Sequence, residues 1–126
     1  MERPSHAIAL TVWLLVGCLA ATADSLVLPG TYGNADGCTY LATGDLTGDA
    51  LRYLTSEEVA SYGSGCRFVA VHADGAGNQL AQGICSYEGE EFLGAEDYVI
   101  TPPDADGRVR VYTAAGELWD ELEPCS

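Results

Sequence analysis

The chain of 126 residues contains no lysine, and its five arginines face nineteen acidic residues, for a formal net charge of −14. Nucleic acid and anionic lipid surfaces would repel such a molecule, so neither is expected as a partner. Imidazole is almost as scarce. Beyond residue 23 only His72 remains, leaving a serine or thiol nucleophile a single possible base. Its place beside Asp74-Gly75 reads as a surface histidine at a turn. There is no Cys-x-x-Cys pair, and His72 stands in no ligand-like spacing to any cysteine, so neither zinc nor another resident metal is expected. No phosphate-cradling glycine loop or dinucleotide fingerprint occurs, and no cofactor is expected. Long apolar runs are missing after Ala20, as is any long amphipathic helical stripe.

The one apolar run, Ala7–Ala20, follows Arg3 and precedes Ala21-Thr22-Ala23, the small-x-small pattern of a secretory signal cut before Asp24. Leu15-Val16-Gly17-Cys18 also fits a lipoprotein signal covering residues 1–17, with Cys18 lipidated. Both readings account for the odd fifth cysteine and both place the protein outside the cytoplasm. It would be periplasmic or secreted, or tethered to the outer membrane through Cys18 alone. Residues 24–126 then form one domain, with a core small enough to benefit from cross-links.

Short alternating segments separated by glycine predict an all-β fold, a curled antiparallel sheet or barrel of seven to eight strands. The segments are Leu26–Tyr32, Thr39–Thr43, Ala50–Leu54, Cys66–Ala73, Gln79–Tyr87, Asp97–Thr101, Arg108–Thr113 and Glu117–Glu123. One helical turn is expected at Thr55–Ser61, where Thr55 and Glu58 have capping-box spacing and Gly63 follows. A turn centred on Asp74-Gly75-Ala76-Gly77 sets Cys66 opposite Cys85, near the Cα separation a disulfide needs. Cys38 is left to pair with Cys125, tying the start of the domain to its last strand. In the final hairpin, a two-residue turn at Ala115-Gly116 sets Arg110 against Glu121, Arg108 against Glu123, Val109 against Leu122 and Tyr112 against Trp119. The arginines are therefore expected to be structural. In the Pro102–Gly107 stretch, the prolines and Asp-Gly explain a turn without any ligand.

Gly30-Thr31-Tyr32, Cys38, Tyr62-Gly63-Ser64-Gly65-Cys66-Arg67-Phe68, Cys85-Ser86-Tyr87-Glu88-Gly89-Glu90 and Pro124-Cys125 resemble a set of small exported proteobacterial proteins. Those carry an early Gly-x-Trp, a Ser-x-Cys-x-Phe stretch, Cys-x-x-Glu-Gly and a closing cysteine. The resemblance implies a four-cysteine β domain of unassigned activity, with no catalytic residues to carry over.

Three constellations carry groups capable of chemistry or binding. Asp45-Leu46-Thr47-Gly48-Asp49 opens like a calcium loop, but Ala50 and Ser56 stand where glycine and glutamate are needed, so a turn is expected. Glu88, Glu90 and Glu91 could act as a carboxylate pair, yet with so many acids such proximity arises by chance. Tyr87 and Phe92 flanking that run could form a binding edge, and a binder would expose aromatics such as Tyr32, Tyr53, Tyr87 and Trp119. The expectation is a non-catalytic envelope domain that binds a protein or small ligand. The alternative is an acidic inhibitor that enters the cationic cleft of a basic lytic enzyme such as lysozyme.

Overall fold

The computed structural model describes residues 24–126; the predicted signal segment and Cys18 lie outside the described residues. The chain forms an all-antiparallel closed barrel in which each strand pairs with the next and the last with the first. Its strands are β1 (Tyr32–Gly33), β2 (Arg52–Leu54), β3 (Glu58–Ser61), β4 (Ser64–Ala73), β5 (Gln79–Tyr87), β6 (Gly94–Ile100), β7 (Val109–Thr113) and β8 (Leu118–Pro124), with one helix, α1 (Ala35–Thr43), between β1 and β2. Two disulfides pin it, Cys38–Cys125 and Cys66–Cys85, the latter with Cα atoms 4.0 Å apart. These bonds indicate an oxidising, non-cytoplasmic compartment. No helix among the described residues is long and apolar enough to cross a membrane.

Alternation along the strands decides which side chains fill the interior. Leu54, Val59, Phe68, Ala81, Ile100, Val109, Val111 and Leu122 are buried there around the Cys66–Cys85 bond. The strand expected at Leu26–Tyr32 is confined to its last residue and Gly33. Leu26 instead enters the core, while its amide donates to the Ser56 carbonyl and Val27 exchanges hydrogen bonds with the Gln79 side chain. This segment therefore covers the end of the barrel that carries the β2–β3 and β4–β5 turns. The opposite end, the mouth, carries the β3–β4, β5–β6 and β7–β8 turns.

The helix lies where a strand was expected, at Thr39–Thr43. The Asn34 side chain accepts from the Gly37 amide, Asp36 sits in the first turn, and Gly44 at φ 77° closes the helix onto the Tyr40 carbonyl. Caps thus outweigh the weak helix propensity of Gly37, Thr39 and Thr43. Outside the barrel, Tyr40 and Leu41 of the helix cover Leu51, Tyr53 and Ala60, and the Tyr40 and Tyr53 rings stack at 5.7 Å. The helical turn expected at Thr55–Ser61 is absent. The Thr55 hydroxyl does accept from the Glu58 amide at 3.1 Å, but the chain then enters β3, where Val59 is buried in the barrel and Ala60 beneath the helix.

Both hairpin registers carry a pair of compensating shifts. The β4–β5 connection runs from Asp74 to Asn78 around Gly77 at φ 90°, one residue longer than expected, and a bulge between Phe68 and Ala70 restores Cys66 opposite Cys85. The β7–β8 connection runs from Thr113 to Glu117 around Gly116 at φ 80°. There the shift falls between Val111 and Tyr112, so Arg110 faces Glu121 and Val109 faces Leu122 as expected, whereas Tyr112 faces Leu118 rather than Trp119. Three-residue loops ending in a left-handed glycine account for both lengths. Arg108 reaches Glu123 at 3.0 Å and Arg110 reaches Glu121 at 3.1 Å on the outer face.

Candidate functional site

Displaced from the regular alternation by the bulge, Trp119 meets Tyr98 edge-to-face at 6.2 Å, and the Arg52 guanidinium lies 4.6 Å above its ring. Arg52 also donates to the Trp119 carbonyl and pairs with Asp120 at 3.6 Å, bracing β2 against β8 across the very short β1. One row of the ladder there joins Arg52, Ser61, Ser64 and Tyr87, and the two serine hydroxyls bond at 2.7 Å.

Glu96 is exposed at the mouth, and its Oε2 accepts from the Tyr98 hydroxyl at 2.8 Å and lies 3.5 Å from each sulfur of the buried Cys66–Cys85 bond. Gly94 leaves room for the Tyr87 ring, since a β-carbon there would come within 2.9 Å of it. Two sulfurs and a carboxylate this close form the one cluster of three metal-capable side chains among the described residues, but both sulfurs are spent in the disulfide. Burial, then the Glu96 hydrogen bond and charge, push the Tyr98 phenol far above the ordinary tyrosine range; burial and then Glu58 do the same for Tyr53. The fold thus favours neutral phenols. Their contribution is fully present below about pH 10, where the unfolded chain's tyrosines begin to ionise, and is lost as pH rises from there through the raised folded values. The urea midpoint is expected to fall steeply above about pH 10, and Tyr98→Phe to flatten that fall; a midpoint independent of pH from 9 to 11.5 would contradict this.

Among the described residues, two of the three most exposed large apolar side chains lie on the β5–β6 loop at this same mouth, the third being Val27 at the opposite end. Phe92 and Leu93 are 82% and 70% exposed, directly after the exposed Glu88, Glu90 and Glu91. A groove beside the loop, on the outer face of β3–β5, is lined by Leu93, Ile84, Ser86, Arg67, Glu57 and Glu58 among others.

Most residues singled out from the sequence lie elsewhere or serve the scaffold. His72 is exposed on β4 and hydrogen-bonds with Gln82 at 3.3 Å, not with a hydroxyl or thiol. Thr47 donates to Asp36 at 2.8 Å, and Asp45 and Asp49 join no cluster of three metal-capable side chains among the described residues. Tyr32 and Tyr53 are buried and Trp119 sits under Arg52, so those three form no exposed patch. Sequence reasoning missed Glu96, Tyr98 and Arg52. The alternation of Glu96, Tyr98 and Ile100 was the available signal for Glu96, but Gly94-Ala95-Glu96-Asp97 is poor in strand-forming residues and β6 was expected to start only at Asp97. No protein-family model, curated protein or solved structure matches the chain.

Proposed function

We propose that this protein is an exported, non-catalytic envelope domain, akin to the small four-cysteine exported proteins it resembles, and that it binds a cationic protein partner through the β5–β6 loop. The single observation that carries this reading is Phe92 and Leu93 standing exposed beside three carboxylates. An aromatic anchor with an apolar neighbour supplies affinity, and the charges supply orientation and encounter rate. The signal-like N-terminus and the two disulfides support export, and Cys18 would provide any lipid tether. The oxidised protein, used as bait in native envelope extract, is expected to retain a basic protein. The Phe92→Ser/Leu93→Ser variant should retain at least tenfold less, since loss of an aromatic anchor costs about 2 kcal/mol or more. Equal capture by both would remove the reading.

The same loop favours a narrower alternative, inhibition of a basic lytic enzyme such as lysozyme by carboxylates inserted in its cleft. The assay is lysozyme activity at low salt. Inhibition lost on changing Glu88, Glu90 and Glu91 to glutamine supports this alternative, and no inhibition by the unaltered protein discards it.

A further inference from the structure

The ladder has a notch at the mouth. Strand β6 pairs with β5 along its whole length, from Gly94↔Cys85 to Ile100↔Gln79, but with β7 only at Tyr98, Val99 and Ile100. At Thr113 the chain leaves the row and turns around Gly116 into β8. On that side Gly94–Asp97 has no ladder partner among the described residues, a free edge about 13 Å long at the usual rise per residue. The space beside it is open. A groove of about 320 Å³ lies there, between Ala95, Glu96 and Asp97 on one side and Thr113, Ala114 and Ala115 on the other, and the alanines do little to fill it.

A free edge invites another strand, and charges placed on it select which strand enters. Glu96 and Asp97 occupy opposite faces of this edge. In a chain of net charge −14, they set a second copy of the protein against its own charge and admit a basic segment. Resting on the reading of this protein as a binder of a cationic partner, we infer that an extended lysine- or arginine-bearing segment of that partner adds to β6 at Gly94–Asp97, in the row that β7 vacates. Main-chain hydrogen bonds to the edge hold the segment. Its alternate side chains meet Glu96 in the mouth and Asp97 on the outer face.

The probe is an acetylated, amidated pentapeptide, threonine-lysine-valine-lysine-threonine, titrated into the full oxidised protein and followed by amide shifts. Saturable shifts confined to Gly94–Asp97 and Thr113–Ala115 are expected. N-methylation at alternate peptide nitrogens should weaken binding at least tenfold in one of the two registers, and glutamate in place of the lysines should abolish it. Glu96→Lys/Asp97→Lys, verified as folded from its spectrum, should also lose at least tenfold. Equal binding of both N-methylated peptides, shifts centred elsewhere, or concentration-dependent self-association through this edge would overturn the inference. Capture of a basic protein that depends on Phe92 and Leu93 but is unaffected by the charge-reversed edge would sink this inference and leave the broader reading standing.

Discussion

Removing the Cys38–Cys125 bond by a double change to serine is expected to cost about 4.5 kcal/mol, the value for cross-linking a loop of nearly ninety residues on the chain-entropy model. The cysteines are 87 positions apart, and their bond joins α1 to the chain just beyond β8. That junction is where the barrel has least else to hold it. Strand β1 contributes two residue pairs to β2 and two to β8, backed by the Cys125 amide donating to the Thr31 carbonyl. A loss of this size is comparable to the whole stability of a small domain. The variant should therefore lose its near-ultraviolet circular dichroism and amide dispersion at 37 °C. Opening Cys66–Cys85, whose cysteines are 19 positions apart, should cost about 3 kcal/mol. A loss below about 1 kcal/mol for the longer bridge would show that the β1 ladders close the barrel unaided.

Gly37→Ala is expected to destabilise by about 3 kcal/mol or more, at or beyond the upper end of what overpacking by a methyl group usually costs. The reason is contact with backbone, which cannot rotate away. A β-carbon at residue 37 would lie 1.9 Å from the Arg52 carbonyl oxygen and 2.7 Å from its carbon. Relief by sliding the helix is opposed on both flanks, because Asn34 bonds to the Arg52 amide and the Ala50 carbonyl, and Cys38 is held in its disulfide. Gly30→Ala is the matched control, since nothing lies within 4 Å of its added carbon. Urea denaturation of the oxidised proteins measures both. Equal midpoints for the two variants would mean that α1 is not seated against β2 as described.

Much of the architecture was legible because it rests on local signals. Alternation in Cys66–Ala73, Gln79–Tyr87 and Arg108–Thr113 located β4, β5 and β7 within about two residues. Counting outward from a glycine turn then paired the cysteines. That count holds although each turn is one residue longer than the two-residue turn it assumes, since each bulge lies between its turn and the distant pairs it restores. Trp119, the residue that the bulge leaves unpaired on β8, is the one displaced from the expected pairing with Tyr112. The helix was hidden because its identity rests on the Asn34 and Gly44 caps, while its interior resembles a strand in composition. The mouth was hidden for another reason. Glu96 acquires its neighbours from Cys66, Cys85 and Tyr98, and the pairing of β4, β5 and β6 side by side brings those groups together once β6 starts at Gly94 rather than Asp97. The acidic loop with Phe92 could be read directly, because exposure at a hairpin tip depends only on local sequence.

The ladder between β4 and β5 has nine residue pairs, and those flanking β1 have two each. Chain entropy turns that inequality into an order of assembly, since short-range zippering is cheap and bringing distant ends together is recompensed only late. The central hairpin nucleates, its neighbours accrete on either side, and the seam at β1 shuts last. Thiol oxidation at 38 and 125 then traps a ring that closes only transiently without it: it holds the result of folding and gives the early steps no guidance.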